Sequence, residues 1–160
     1  MLNCRRIRAE DDAALARIIR FNLEKFGLNI PGTAYFDPEL DHLSDFYNSE
    51  PSGRAYYVAL DDAGRIVGGA GFAEFAGESD CAELQKLYLD DTVKGKGYGK
   101  ELMKTAEVGA KAAGYKKMYL ETHTNLSVAL GMYEKAGYRQ IEMPTAAKHS
   151  TMNRFYIKEL

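Results

Sequence analysis

Lys94-Gly95-Lys96-Gly97-Tyr98-Gly99-Lys100 is the stretch on which the reading of this 160-residue chain turns. It follows a strand-like run at residues 81–89 and opens a helix-like run at residues 100–113. Three glycines alternating with lysines at a strand-to-helix turn bring bare backbone N–H groups and positive charge against an anion such as a pyrophosphate. Glycine there costs backbone entropy, so a loop built this way for structure alone is expensive. The strand–loop–helix–strand unit is a crossover, which predicts that strands 81–89 and 117–122 run parallel. A ligand is then expected at the carboxyl end of the strand that feeds the loop.

Working outward, residues 3–8 read as a first strand. Leu15, Ile18, Ile19, Leu23 and Phe26 recur at helical spacing, and Gly27 offers a stop. Pro38 opens a second helical stripe through Leu40, Leu43, Phe46 and Tyr47, ended by Pro51-Ser52-Gly53. Residues 55–60 and 65–75 are strand-like around Asp61-Asp62-Ala63-Gly64, a hairpin turn signal. Gly68, Gly69 and Gly71 within the second of these strands indicate a bulge or a close backbone approach. Leu102, Met103, Ala106, Ala110 and Ala113 line one helix face, and a further helix runs through Leu126, Ala129, Leu130 and Tyr133. Residues 138–143 and 154–158 read as two last strands. The order is strand, two helices, three strands, helix, strand, helix, two strands.

The composition is that of one globular domain over residues 1–160, with 46% hydrophobic and 28% charged residues. A net charge of −2 argues against a dedicated nucleic-acid partner. The charge is uneven. Seven lysines between Lys94 and Lys117 oppose only Glu101 and Glu107, whereas Asp37, Glu39, Asp41, Asp45 and Glu50 have no Lys or Arg among them. One region invites an anion and the other a cation. Cys4 and Cys81 have no CxxC partner or metal-ligand neighbour, so no disulfide framework and no metal site is expected. No leader-like or membrane-length apolar run stands out, which makes the cytoplasm the expected location and a membrane an unexpected partner.

The loop's spacing sorts the phosphate ligands. A Walker A loop needs G-x-x-x-x-G-K-[ST], but Glu101 follows Lys100 and Lys94 stands at the first glycine position. A dinucleotide fingerprint needs G-x-G-x-x-G early in a βαβ half, whereas this loop reads G-x-G-x-G in mid-chain. Residues 84–99, LQKLYLDDTVKGKGYG, instead resemble motif A of the GNAT N-acetyltransferase superfamily, patterned [QR]-x-x-G-x-[GA], with Lys94, Gly97 and Gly99 at the patterned positions. Lys94 departs from the usual Arg or Gln, keeping the charge without the bidentate fork. Residues 125–138, NLSVALGMYEKAGY, resemble the following motif of the same superfamily. A narrower resemblance, over residues 26–45 with PGTAYFDPELD at the centre, is to a bacterial subgroup sometimes fused to MarR-type regulators.

The resemblance implies an α/β GNAT fold: a mixed, mainly antiparallel sheet of six to seven strands flanked by about four helices. It implies transfer of an acetyl group from acetyl-CoA, as co-substrate, to a small-molecule or peptide primary amine, and it allows a homodimer. The pyrophosphate would lie on the N–H groups from Gly95 through Lys96, Gly97, Tyr98 and Gly99 to Lys100, with Lys94, Lys96 and Lys100 adding unneutralised charge. Leu87, Tyr88 and Leu89 would pair with the pantetheine arm as a pseudo-strand where the parallel strands splay, and an N–H near Leu87 or Tyr88 would polarise the thioester. Tyr133 matches the family tyrosine near the CoA sulfur, and a phenol with a pKa of about 10 is a proton donor at neutral pH.

Glu83 is the candidate base. It lies four residues before Leu87 and, counted by twos, on the same face. Glu121 and His123 are weaker candidates. Asn125 is expected to cap the following helix and to touch the pantetheine arm. No nucleophile is paired with a base, which points to direct attack in a ternary complex. The rival from another class is a non-catalytic acyl-CoA-binding sensor, which would keep the loop and need neither Glu83 nor Tyr133.

Overall fold

A computed structural model describes residues 2–147 and 151–160. Its described residues form a seven-stranded sheet of order β1-β2-β3-β4-β5-β7-β6. The strands are β1 (Asn3–Arg6), β2 (Ala55–Leu60), β3 (Ile66–Glu74), β4 (Cys81–Leu89), β5 (Lys117–Thr122), β6 (Arg139–Ile141) and β7 (Arg154–Glu159). The helices are α1 (Asp12–Lys25), α2 (Leu43–Asn48), α3 (Tyr98–Ala112) and α4 (Ser127–Lys135). The predicted element order therefore holds. Only β4 and β5 pair in parallel; every other neighbouring pair is antiparallel.

Each sheet face is covered because each helix carries one apolar stripe. Leu102, Met103, Ala106 and Ala110 of α3 pack on Ala82, Leu84, Met118 and Leu120, together with Tyr133 of α4. Leu15, Ile19 and Leu23 of α1 and Leu43 and Tyr47 of α2 pack on Tyr56, Val58 and Ala73 of the opposite face. A third cluster, Cys81, Tyr119, Phe155 and Ile157, fills the sheet end under Phe75 and Met152. Removing a Leu-sized side chain from water contributes about 1.5–3 kcal/mol, so both helical layers are held chiefly by these stripes.

The glycines of β3 allow a close approach, as their clustering suggested. A Cβ on Gly68 would collide with the backbone carbonyl of Tyr88, and one on Gly69 with the Tyr56 ring. Beside them β4 carries a bulge. Gly71 pairs with Gln85 and Gly69 with Tyr88, so Ala70 alone faces both Lys86 and Leu87. Lys86 sits in the left-handed region at φ 51°, the only described non-glycine residue with positive φ.

The bulge overturns the counting by twos. One inserted residue exchanges the two faces of a strand. Leu84 and then Leu87 and Leu89 face α3, whereas Tyr88 packs on the α1 side. Glu83 therefore does not share a face with Leu87. It lies on the α1 side with Gln85, whose Nε2 donates to Glu83 Oε1 at 2.8 Å and whose Oε1 accepts from the buried Tyr47 hydroxyl at 2.7 Å.

Candidate active site

The parallel ladder between β4 and β5 is short. It joins Cys81 to Lys117, Ala82 to Met118 and Glu83 to Tyr119, and stops there. Beyond Glu83 the bulged strand swings away from β5, and a cleft of about 1110 Å³ opens along the gap. Glu83, Leu87, Tyr88, Leu89, Lys94, Gly95, Gly97, Tyr98, Gly99, Lys100 and Tyr133 all line it. The fold thus brings most of the expected site residues to one cavity. Lys96 and Asn125 do not line it.

At one end of the cleft lies the glycine loop. Gly95 and Gly97 have φ of 80° and 82°, and Gly97 is the residue on which α3 begins. The first turn of a helix has no preceding carbonyl to bond, and backbone hydrogen bonding resumes at Glu101, whose N–H donates to the Gly97 carbonyl. The N–H groups from Gly95 to Lys100 make no hydrogen bond among the described residues. They are joined by the positive end of a 15-residue helix, an arrangement that suits an anion.

Lys94 departs from its expected role. Its Nζ binds Asp91 Oδ1 at 2.7 Å and Asn22 Oδ1 at 2.6 Å, and lies 5.3 Å from the Phe26 ring centroid. Its charge is therefore matched within the protein. Asn22 was not singled out by the sequence. It is a polar residue inside the apolar stripe of α1, buried to 3% exposure, and that misfit was the available signal. Its Nδ2 donates to the carbonyls of Ile18 and Leu89, both at 2.9 Å, so one side chain ties α1 to the end of β4 and to the loop.

Asn125 does not cap α4. Leu126 is the capping residue, with no side-chain cap, and Asn125 Nδ2 donates to the Phe26 carbonyl at 2.9 Å. His123 Nδ1 accepts from the Asn125 backbone N–H at 3.0 Å, and His123 lies outside the cleft lining. Glu121 lines the cleft and accepts from the Tyr119 hydroxyl at 2.9 Å. Cys81 is buried, and burial pushes its thiol up to about 12, so it holds no nucleophilic thiolate near neutral pH.

Tyr133 is held by packing. Its ring meets Tyr138 edge-on at 6.0 Å and Tyr156 at 6.3 Å. Burial raises its phenol well above the ordinary value, and its hydroxyl makes no hydrogen bond among the described residues. A phenol in that state keeps its proton and is available to a ligand.

The other end of the cleft differs from the acidic wall that the sequence suggested. Asp41 is forked by Arg20 at 2.7 and 2.8 Å, while Asp45 and Glu50 are exposed and outside the lining. Asp37 and Glu39 do line the cleft, and both reach Lys86 Nζ, at 2.8 and 3.4 Å. Burial alone pulls the Lys86 ammonium down, but these two carboxylates reverse the effect and raise it above its ordinary value. Arg54 is likewise bound by Glu74, with Nε to Oε2 at 2.9 Å, and lies over the Phe46 ring. Among the described residues no three or more His, Cys, Asp or Glu side chains are grouped to hold a metal ion. No helix there is long and apolar enough to cross a membrane.

Comparison with known proteins identifies the family. The model of a family described as Acetyltransferase (GNAT) family matches residues 15–138. A protein of Escherichia coli K12, named uncharacterized N-acetyltransferase YjgM, is 41% identical over 140 residues, 86% of this chain and 82% of that protein. A solved GNAT-family acetyltransferase from Staphylococcus aureus Mu50 superposes with a TM-score of 0.87 over 99% of both chains, at 22% identity. The PaiA N-acetyltransferase of Thermoplasma acidophilum, solved in complex with coenzyme A, gives 0.76 over 100% of this chain and 99% of that one, at 21% identity. The narrower likeness to MarR-fused members gains no support from these matches. The chain belongs to the acetyltransferase (GNAT) family and is an acyltransferase.

Proposed function

We propose that this protein transfers an acetyl group from acetyl-CoA to a primary amine by direct attack in a ternary complex. The observation that carries the reading is the gap beyond Glu83 and Tyr119, with an amide-rich loop at one end and carboxylates at the other. A pyrophosphate fits the N–H groups from Gly95 to Lys100, with Lys100 as the lysine at the cleft whose charge serves it. The pantetheine arm fits the unpaired edge of β4 through Leu87, Tyr88 and Leu89, as a strand fits a sheet edge. The bulge turns the Leu87 side chain toward α3 and leaves Glu83 on the α1 side, so the base reaches a thioester lying along the β4 edge from the α1 face of the sheet.

Glu83 takes a proton from the acceptor ammonium, directly or through water. The freed amine attacks the thioester carbonyl, and an N–H near Leu87 or Tyr88 stabilises the oxyanion. Collapse breaks the C–S bond and forms the amide, the nitrogen loses its remaining extra proton to solvent, and the thiolate takes a proton from Tyr133. The absence of a reactive thiolate at Cys81 favours this route over a covalent acyl-enzyme. Asp37, Glu39, Glu83 and Glu121 line the cleft, and the ammonium of Lys86 offsets only part of their charge, which supports a cationic acceptor.

Release of free thiol from acetyl-CoA, followed across amines, amino acids and peptides, tests the reading. Amine-dependent release is expected. Tight CoA binding with no release above background for any acceptor would replace the enzyme with a non-catalytic acyl-CoA-binding module.

A further inference from the structure

Lys86 stands where a glycine would be the easy choice. A left-handed backbone costs an ordinary residue about 1–2 kcal/mol, yet this chain places a long cationic side chain there. That side chain is almost wholly buried, at 6% exposure, and its ammonium meets carboxylates on a different part of the chain. Asp37 and Glu39 flank the short turn after the 3-10 segment Ala34–Phe36, on the connection between α1 and α2. The backbone of Lys86 is held separately, since its carbonyl accepts from the buried Tyr56 hydroxyl at 2.8 Å. Lys86 is therefore fixed at its main chain by β2 and at its tip by the α1–α2 connection, while occupying the bulge that turns β4 away from β5.

Resting on the acyl-transfer reading above, we infer that Lys86 is a positioning residue that sets the α1–α2 connection, as the acceptor-side wall, in register with the thioester-side strand. The bulge needs only a left-handed backbone, which glycine supplies at lower cost. What the lysine adds is the tether. One ammonium spans the bulge and two carboxylates, so a shift of residues 34–39 is resisted at the point where the nucleophile must meet the carbonyl. Misplacement by about 1 Å at such a junction costs as much as a hundredfold in rate. The carboxylates it holds belong to the α1–α2 connection and not to the loop 95–100, so the tether bears on the acceptor and leaves the pyrophosphate seat alone.

Lys86→Gly isolates the tether, because it keeps the backbone conformation and removes the side chain. Steady-state kinetics on an amine that the wild type acetylates should show acceptor kcat/KM falling about tenfold to a hundredfold. CoA affinity by calorimetry should stay within about twofold. Lys86→Arg, which keeps the cation, should recover most of the loss. Wild-type acceptor kcat/KM in Lys86→Gly would overturn the inference, as would an equal loss of CoA affinity. Should the wild type acetylate no amine, it is the acyl-transfer reading that falls, so the two failures are distinct. A merely structural lysine would lower the melting temperature of Lys86→Gly and leave the acceptor KM of the folded fraction untouched.

Discussion

Replacing Asn22 by leucine tests whether a single buried amide holds the donor end of the cleft. The change conserves volume approximately and removes three hydrogen bonds: to Ile18 O and Leu89 O at 2.9 Å and from Lys94 Nζ at 2.6 Å. Their losses are unequal. Ile18 O lies within α1, where the helix supplies its own donor, and Lys94 keeps Asp91 at 2.7 Å in a half-open setting. Leu89 O is the group left without a protein donor, on a half-buried residue that lines the cleft and that water can reach. The loss is then that of an ordinary hydrogen bond, about 1 kcal/mol. For a chain of this length that is a drop in melting temperature of about 2–4 °C. Because the same amide aligns the end of β4 with Lys94 and the glycine loop, CoA affinity should also fall, by about tenfold or 1.4 kcal/mol. Thermal unfolding by circular dichroism and calorimetric titration with CoA measure the two effects. A melting temperature within about 1 °C of wild type, with unchanged CoA affinity, would refute the argument that Asn22 organises this end.

Tyr133→Phe removes a hydroxyl that makes no internal hydrogen bond, so stability and CoA affinity should hold while kcat falls by about a hundredfold or more, the range of a lost general acid; an unchanged kcat removes Tyr133 from that role. Gly97→Val should abolish CoA binding in calorimetry. Apart from its two chain neighbours, no described residue lies within 4 Å of the added Cβ, so the obstacle is the left-handed backbone at φ 82° together with the phosphate it must face, and wild-type affinity would contradict this. Asp11 predicts an acid limb in stability. Its burial pushes the carboxyl pKa up, but the Arg5 fork at 2.7 and 2.9 Å and the Arg8 amide at 2.8 Å outweigh that and hold it below the ordinary value. A carboxyl depressed in the folded state contributes fully above about pH 4 and loses that contribution as pH falls through its folded pKa. Asp11→Asn should therefore lose stability at neutral pH and flatten the acid limb, and an acid-unfolding profile parallel to wild type would count against the pairing.

Elements with strong periodicity were legible. The apolar stripes of α1 and α3, the β2–β3 hairpin and the glycine loop all lie where spacing and turn residues place them, because each is decided within a few residues. What stayed hidden depended on partners distant in sequence. Nothing local marks Lys86 as left-handed; the cause lies in Asp37, Glu39 and Tyr56, thirty to fifty residues upstream. One unseen inserted residue then misassigned the face of Glu83, although the residue itself does line the cleft. Lys94 and the acidic run around Asp37 were read by formal charge, and the fold had already paired most of that charge internally. Asn125 carries the side chain of a cap, but the Phe26 carbonyl competes for it.

The gap between β4 and β5 has a consequence for the protein before any ligand arrives. Most sheets keep their exposed hydrogen-bonding edges at the perimeter, where lysines, prolines and short strands discourage pairing with other chains. Here two edges are opened in the interior of the sheet, and β4 beyond Glu83, two thirds of the strand, has no partner on its β5 side. The sheet therefore carries a seam of backbone donors and acceptors in its interior, flanked by the helices that cover its two faces. A thioester arm laid along β4 would close that seam. At a donor concentration one hundred times the dissociation constant, binding contributes about 2.7 kcal/mol to the folded state. Solubility and resistance to proteolysis would then rise and fall with the supply of acyl donor, independently of any acceptor.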